Sequence, residues 1–202
     1  MRALGKLFLA SSNPGKLGEF RALASAVRSD RFVSLELLPN LAALPEYEEG
    51  APTFGENALG KALHYSQPFD GTVFADDSGL VVPALGGAPG VQSARYAGAN
   101  ATSEQRIEKL LSEMRAMRGA QRAAHFVCVI AVAQGGRGVA IVSDCVDGEI
   151  LDAPRGRGGF GYDPVFYFPA LAKTFAELSA DEKNRHSHRG KAFRRLMAAL
   201  GA

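Results

Sequence analysis

An apolar run, Thr72-Val73-Phe74-Ala75, has the composition of a buried strand and meets two carboxylates, a hydroxyl and a glycine in Asp76-Asp77-Ser78-Gly79. Successive side chains on a strand point to opposite faces, so Asp76 and Asp77 cannot do the same job. One can face a cleft while the other is held by backbone or neighbouring side chains. The strand is expected to stop at the carboxylates, with Asp-Asp-Ser-Gly as a polar turn. Carboxylate oxygens at such an edge suit a hard cation such as Mg²⁺, and a metal-bound water beside an Asp is a ready nucleophile.

The chain before and after this stretch alternates strand and helix patterns. Lys6 to Ser11 reads as a buried strand and Ser11-Ser12-Asn13-Pro14-Gly15-Lys16 as a turn. From Lys16 onward Leu17, Phe20, Leu23, Ala24 and Val27 recur at helical spacing. A strand, a tight turn and a helix start together present backbone N–H groups to an anion, and Lys16 adds a charge. Leu17 stands where a Walker A motif would carry Ser or Thr, so this is not a P-loop. Arg31 to Leu38 is a second strand. An acidic loop, Glu46-Tyr47-Glu48-Glu49, follows between prolines, and Thr53-Phe54-Gly55-Glu56 opens a helix through Ser66. Lys61 on that helix is expected to face solvent.

Beyond the acidic tetrapeptide come the loop Gly86-Gly87-Ala88-Pro89-Gly90 and a helix capped by Thr102, with Ile107, Leu110, Leu111, Met114 and Met117 as its core stripe. Ala124–Ala133 and Gly138–Val146 are strands joined by Gln134-Gly135-Gly136-Arg137, and Asp147-Gly148 is a turn into a further short strand. The glycine-rich segment Arg155 to Pro164 suits a loop approached closely by a ligand, with an aromatic ring to stack on a flat base. Ser179-Ala180-Asp181-Glu182 is a capping box; Lys183 to Arg189 is a basic run between helices, and the last helix buries Phe193, Leu196, Met197 and Leu200.

Composition narrows the classes. With 202 residues and 47% hydrophobic content the chain is one domain, or two lobes sharing a core. A net charge of +2 is too mild to argue for nucleic-acid binding, and no apolar run reaches a membrane span. The amino terminus is too short for a secretory signal, which implies a cytoplasmic protein. Cys128 and Cys145 are expected to be small buried thiols.

The motifs Ser-Ser-Asn-Pro-Gly-Lys, Thr-Phe-Gly-Glu-Asn-Ala, Ala-Asp-Asp-Ser-Gly-Leu, Gly-Gly-Phe-Gly-Tyr-Asp-Pro and Glu-Lys-Asn-Arg-His-Ser-His-Arg stand in that order. Through them the chain resembles the inosine triphosphate pyrophosphatase family, which hydrolyses ITP, dITP and XTP to the monophosphate and pyrophosphate. The resemblance runs from Leu7 to near Leu200. It implies an α/β fold with a long twisted mixed central sheet, flanking helices and two lobes around a deep cleft. It also implies a homodimer, a purine nucleoside triphosphate as substrate and a requirement for Mg²⁺. Position by position, Ser11, Ser12, Asn13, Pro14, Gly15 and Lys16 should bind the triphosphate. Asp77 should be general base and metal ligand, with Glu48 as the second acidic ligand and Glu46 and Glu49 as its competitors. Ser78 should touch substrate. Phe160, Gly161, Tyr162 and Asp163 should hold base and sugar, with Phe160 stacking, and Lys183, His188 and Arg189 should read the base. Pro83 departs from the family's usual acidic residue, and His186 from a small or apolar one. The alternatives are a non-catalytic nucleotide-binding module, a nucleic-acid binder and a pyrophosphatase for other modified nucleotides.

Overall fold

The computed structural model describes residues 4–27 and 32–201. Strand β1 (Leu4–Leu9) leads into helix α1 (Pro14–Ala26) and strand β2 (Phe32–Leu37); helix α2 (Phe54–Ser66) then precedes strand β3 (Thr72–Val81). Helix α3 (Ser103–Glu113) is followed by strands β4 (Ala123–Gln134), β5 (Arg137–Ile150), β6 (Phe166–Phe168) and β7 (Lys173–Thr174), then helices α4 (Ala180–His186) and α5 (His188–Leu200). The sheet runs in the order β2-β1-β3-β4-β5-β6-β7. β1 is parallel to both β2 and β3, whereas β5, β6 and β7 are antiparallel, so the sheet is mixed as expected. Arg31, the expected start of the second strand, lies outside the described residues.

Local chemistry places several of these elements. Thr102 and Ser179 each accept from the backbone of the third helical residue, whose side chain returns the bond, closing capping boxes at α3 and α4. At the β4–β5 connection Gly135 and Gly136 have φ of 54° and 73°, the left-handed pair that a two-residue hairpin turn needs.

Where the sequence reading differs, a long-range partner explains it. β3 does not stop at Asp76 but continues through Gly79 to Val81, so the Asp-Asp-Ser-Gly stretch is strand, not turn. β5 likewise runs unbroken through Gly148. A side chain there would strike the Phe166 ring and the Tyr167 carbonyl of β6, so Gly148 admits the neighbouring strand rather than turning the chain. The basic run is not a linker either: Lys183 lies within α4, His188 opens α5, and only Ser187 separates them. Cys128 is buried as expected; Cys145 is exposed, because it sits on the outer face of β5.

The chain forms two compact units. One comprises residues up to Asp77, Cys128–Asp144 and the segment from Arg189 onward; the other comprises Ser78–Val127 and Cys145–His188. Each has its own core. The first packs Leu7, Leu9, Phe20, Phe74, Ile130 and Phe193 together, and the second Leu80, Leu110, Met114, Phe126, Phe166 and Phe175. Phe193 is fully buried, with its ring 5.8 Å from that of Phe20. Phe193→Ala is expected to lower the free energy of unfolding by about 4 kcal/mol, through lost transfer energy and the cavity left behind, as read by urea denaturation.

Candidate active site

The adjacent carboxylates of β3 are both buried, Asp76 to 1% exposure and Asp77 to 6%, and alternation along the strand gives them different surroundings. Asp76 Oδ2 lies 2.9 Å from Lys16 Nζ and 3.7 Å from Arg189 Nε. Burial alone would raise its pKa, but Lys16 and Arg189 outweigh that and hold the carboxyl below the usual range. Arg189 is itself clamped by Glu19 of α1. Asp77 is different. Burial pushes its pKa up against the opposing charges of Lys16 and Lys61 and the hydrogen bond of Asn57, whose Nδ2 donates to Asp77 Oδ2 at 3.1 Å. One aspartate is thus a fixed anion and its neighbour the more basic group, an arrangement that separates structural from proton-accepting roles.

The stretch expected to bind phosphate begins at Ser11. Its second half is already helix: Asn13 is the N-cap of α1, and its Oδ1 accepts from the backbone N–H groups of Gly15 (2.9 Å) and Lys16 (3.2 Å). Ser11 Oγ accepts from the Asn13 N–H, and Ser12, Asn13 and Pro14 are exposed. The two N–H groups that the sequence offered to an anion are therefore capped within the chain, and the cation of this segment, Lys16, reaches inward to Asp76.

The acidic loop is tied to α2. Asn57, fully buried, accepts from the Ala51 N–H at 3.0 Å and also donates to Asp77, so one side chain joins this loop to the basic carboxylate. Lys61 does not face solvent, contrary to expectation. Its Nζ pairs with Glu49 and donates to the Asp76 carbonyl at 3.4 Å; burial and the charge of Lys16 lower its pKa. The acidic side chain connected to the Asp76-Asp77 neighbourhood is Glu49, while Glu48, the expected ligand, is exposed. Among the described residues no group of three or more His, Cys, Asp or Glu forms a metal cage. Hard oxygen donors from Asp77 and Glu49 nonetheless fit Mg²⁺, which is characteristically held by one or two carboxylates and completed by waters and substrate phosphates.

The second unit brings together the residues expected to handle a base. Asp163, 2% exposed, accepts from the Phe160 N–H at 2.7 Å and from Lys183 Nζ. Lys183 Nζ also lies 4.6 Å from the centre of the Phe160 ring. Gly159 has φ of 69°, and a side chain there would collide with the Asp163 carboxylate, so the loop can wrap this anion only with glycine. Gly161 is also left-handed, at 64°. His188 stacks on Phe126, ring centres 4.7 Å apart and planes 11° from parallel. Ser78, half-buried, follows Asp77 on β3. Tyr162 is buried and donates its hydroxyl to the Ser93 carbonyl at 2.9 Å. Of the residues expected to read the base, Lys183 and His188 lie in this unit, whereas Arg189 packs with the carboxylates of the first. His186 is half-buried, its ring 5.5 Å from that of Phe168.

Sequence reasoning missed Glu19, Asn57 and Ser93 and misjudged Lys61. Asn57 stands inside the Thr-Phe-Gly-Glu-Asn-Ala motif, and Glu19 is one helical turn beyond Lys16, so both lie beside legible signals. Their partners are distant in sequence and could not be named from it.

Comparison with known proteins, by sequence and by fold, points to one family. The model of the Ham1 family fits residues 7–199. A dITP/XTP pyrophosphatase of Geobacillus kaustophilus is 48% identical over 95% of this chain and 92% of its own. One of Bacillus subtilis is 41% identical over the whole of both chains. The solved structure of a HAM1 protein from Coxiella burnetii superposes with a TM-score of 0.85 at 40% identity, covering 98% of each chain. The Staphylococcus aureus Ham1 protein gives a TM-score of 0.83 at 40% identity over 97% of this chain and 98% of its own. The chain belongs to the Ham1 family.

Proposed function

We propose that this protein hydrolyses non-standard purine nucleoside triphosphates, ITP, dITP and XTP, to the nucleoside monophosphate and pyrophosphate. The observation that carries the reading is the β3 pair: Asp76 fixed as an anion by Lys16 and Arg189, and Asp77 beside it raised by burial. A general base needs a raised proton affinity while the cations around it stay in place, and this pair supplies both conditions. The names of the Geobacillus and Bacillus relatives support the same substrate class.

Water attacks the α-phosphorus and pyrophosphate departs. Asp77 orients the water and takes its proton; Asn57 holds one oxygen of that carboxylate so that the other can point at the water. Lys16 and Lys61 supply positive charge to the phosphate tail. Asp77 and Glu49, the latter in place of Glu48, would hold Mg²⁺, which would supply charge neutralisation for the leaving pyrophosphate. In the second unit Phe160 offers its face to the purine, and Lys183 offers a donor to a 6-oxo group, where adenine would present an amino donor instead. His188 is held in orientation by Phe126. The protein is proposed to act as a cytoplasmic homodimer. The free thiol of Cys128 and the exposed apolar side chains Val139 and Ile141 on β5 accord with that. Among the described residues no helix is long and apolar enough to cross a membrane.

Replacing Glu49 by Gln is expected to weaken Mg²⁺ activation more than replacing Glu48 by Gln. The test titrates turnover of dITP against Mg²⁺ for both variants; an equal response, or a larger one at Glu48, would return the ligand role to Glu48.

A further inference from the structure

Tyr162 belongs by position to the loop that should hold base and sugar, yet its hydroxyl is spent inside the protein. The side chain is 4% exposed, and the hydroxyl donates to the Ser93 carbonyl at 2.9 Å. Ser93 is also buried, at 7% exposure, and its own hydroxyl is engaged twice. It accepts from the backbone N–H of Leu80 at 2.9 Å and donates to the Gly90 carbonyl at 2.6 Å. Leu80 is on β3, three residues beyond Asp77 and two beyond Ser78. A continuous set of hydrogen bonds therefore runs from the base loop through one serine to the strand that carries the proposed general base.

The surroundings make this connection stiff. The short 3₁₀ segment containing Ser93, Gly90–Arg95, is fastened at its other end by Arg106, which donates to the Ala94 carbonyl at 2.8 Å, and by Lys109, which donates to the Tyr96 carbonyl at 2.7 Å. The end of β3 is also tied to the loop that follows it: Val82 donates to the Ala88 carbonyl at 3.1 Å, and Val81 bridges Pro89. The link from Tyr162 to the strand thus ends at Leu80, whose N–H is held by the Ser93 side chain. A buried phenol without an acceptor costs free energy, which favours keeping this bond.

We propose that Tyr162 is a positioning residue acting through Ser93: seating of the base against Phe160 fixes Tyr162, Tyr162 fixes Ser93, and Ser93 fixes the register of β3 at Ser78 and Asp77. Correct bases are then rewarded in turnover as well as in binding. The inference rests on the pyrophosphatase reading for its kinetic consequence but not for the coupling itself. Two measurements separate them.

The first needs no substrate. In Tyr162→Phe, which keeps the buried ring, hydrogen exchange of the Leu80 amide and of the Gly90–Arg95 segment should quicken about tenfold, since one hydrogen bond of ordinary strength has been removed. Ser93→Ala should reproduce the change at Leu80. Unchanged exchange at Leu80 in Tyr162→Phe overturns the coupling, whatever the enzyme does. The second measurement is kinetic. For dITP, Tyr162→Phe and Ser93→Ala should each lower kcat about tenfold with KM moving less than twofold, and the double variant should be no slower than the slower single one. A rise in KM with kcat intact in Tyr162→Phe would instead make the hydroxyl a direct substrate contact. Losses that multiply in the double variant would show that the two residues act separately; either result contradicts the proposal. Altered exchange in a protein whose wild type releases no pyrophosphate would leave the coupling standing and remove the pyrophosphatase reading.

Discussion

Asp77→Asn should lower kcat for dITP about a thousandfold, the loss expected when a positioned general base is removed. Nucleotide binding should persist, because Lys16, Lys61, Phe160 and Lys183 are untouched. The substitution keeps the shape of the side chain, and the new amide can present its oxygen to Asn57 Nδ2, which already donates there and is held in that orientation by Ala51. Folding should therefore survive, and a buried group whose charged form is disfavoured by burial is better tolerated once neutral; a small gain in thermal stability is the expected sign. Asp76→Asn should behave in the opposite way. It removes an anion whose lowered pKa contributes stability above the ordinary aspartate range, and that stability is lost as pH falls through the depressed folded value. It also leaves Lys16 and Arg189 facing a neutral amide. Single-turnover kinetics and denaturation on both variants distinguish a base from a structural anion. Near-normal turnover in Asp77→Asn would remove the assigned role.

The second large effect is expected at Lys183. Its ammonium is buried against the buried carboxylate of Asp163 and over the Phe160 ring. Lys183→Ala removes the counter-charge of Asp163, and breaking a buried ion pair from one side costs about 3 kcal/mol or more. Asp163→Asn combined with Lys183→Met should recover much of that stability, since no buried charge is then left without its partner. Base discrimination should not recover. The ratio of kcat/KM for ITP to that for ATP should fall about tenfold or more in both the single and the double variant, because the donor proposed to meet a 6-oxo group is gone in each. A ratio that returned with stability would make Lys183 a folding residue alone.

What could be read from the sequence was what depends on neighbours in the chain. Thr102 and Ser179 cap helices through bonds to residues three positions away, and Gly135-Gly136 turns a hairpin by its own backbone freedom. The order of motifs marked the carboxylates, the base loop and Lys183. What could not be read depends on distant partners. Nothing local shows that β3 can carry two carboxylates through its buried interior; Lys16 and Arg189 make that possible for Asp76, and Arg189 is in turn held by Glu19, 170 positions away. Lys61 looks like a surface lysine on α2 until the acidic loop folds back and delivers Glu49. The same fold-back distinguishes Glu49 from Glu48, adjacent residues of identical chemistry that no spacing rule separates.

The most direct test is a substrate panel with purified wild-type protein and Mg²⁺, measuring pyrophosphate and nucleoside monophosphate from ITP, dITP, XTP, ATP and GTP. Equimolar pyrophosphate and monophosphate from the first three, at kcat/KM values at least about a hundredfold above that for ATP, is the expected result. Release of orthophosphate with accumulation of diphosphate, or nucleotide binding without any turnover, would contradict it.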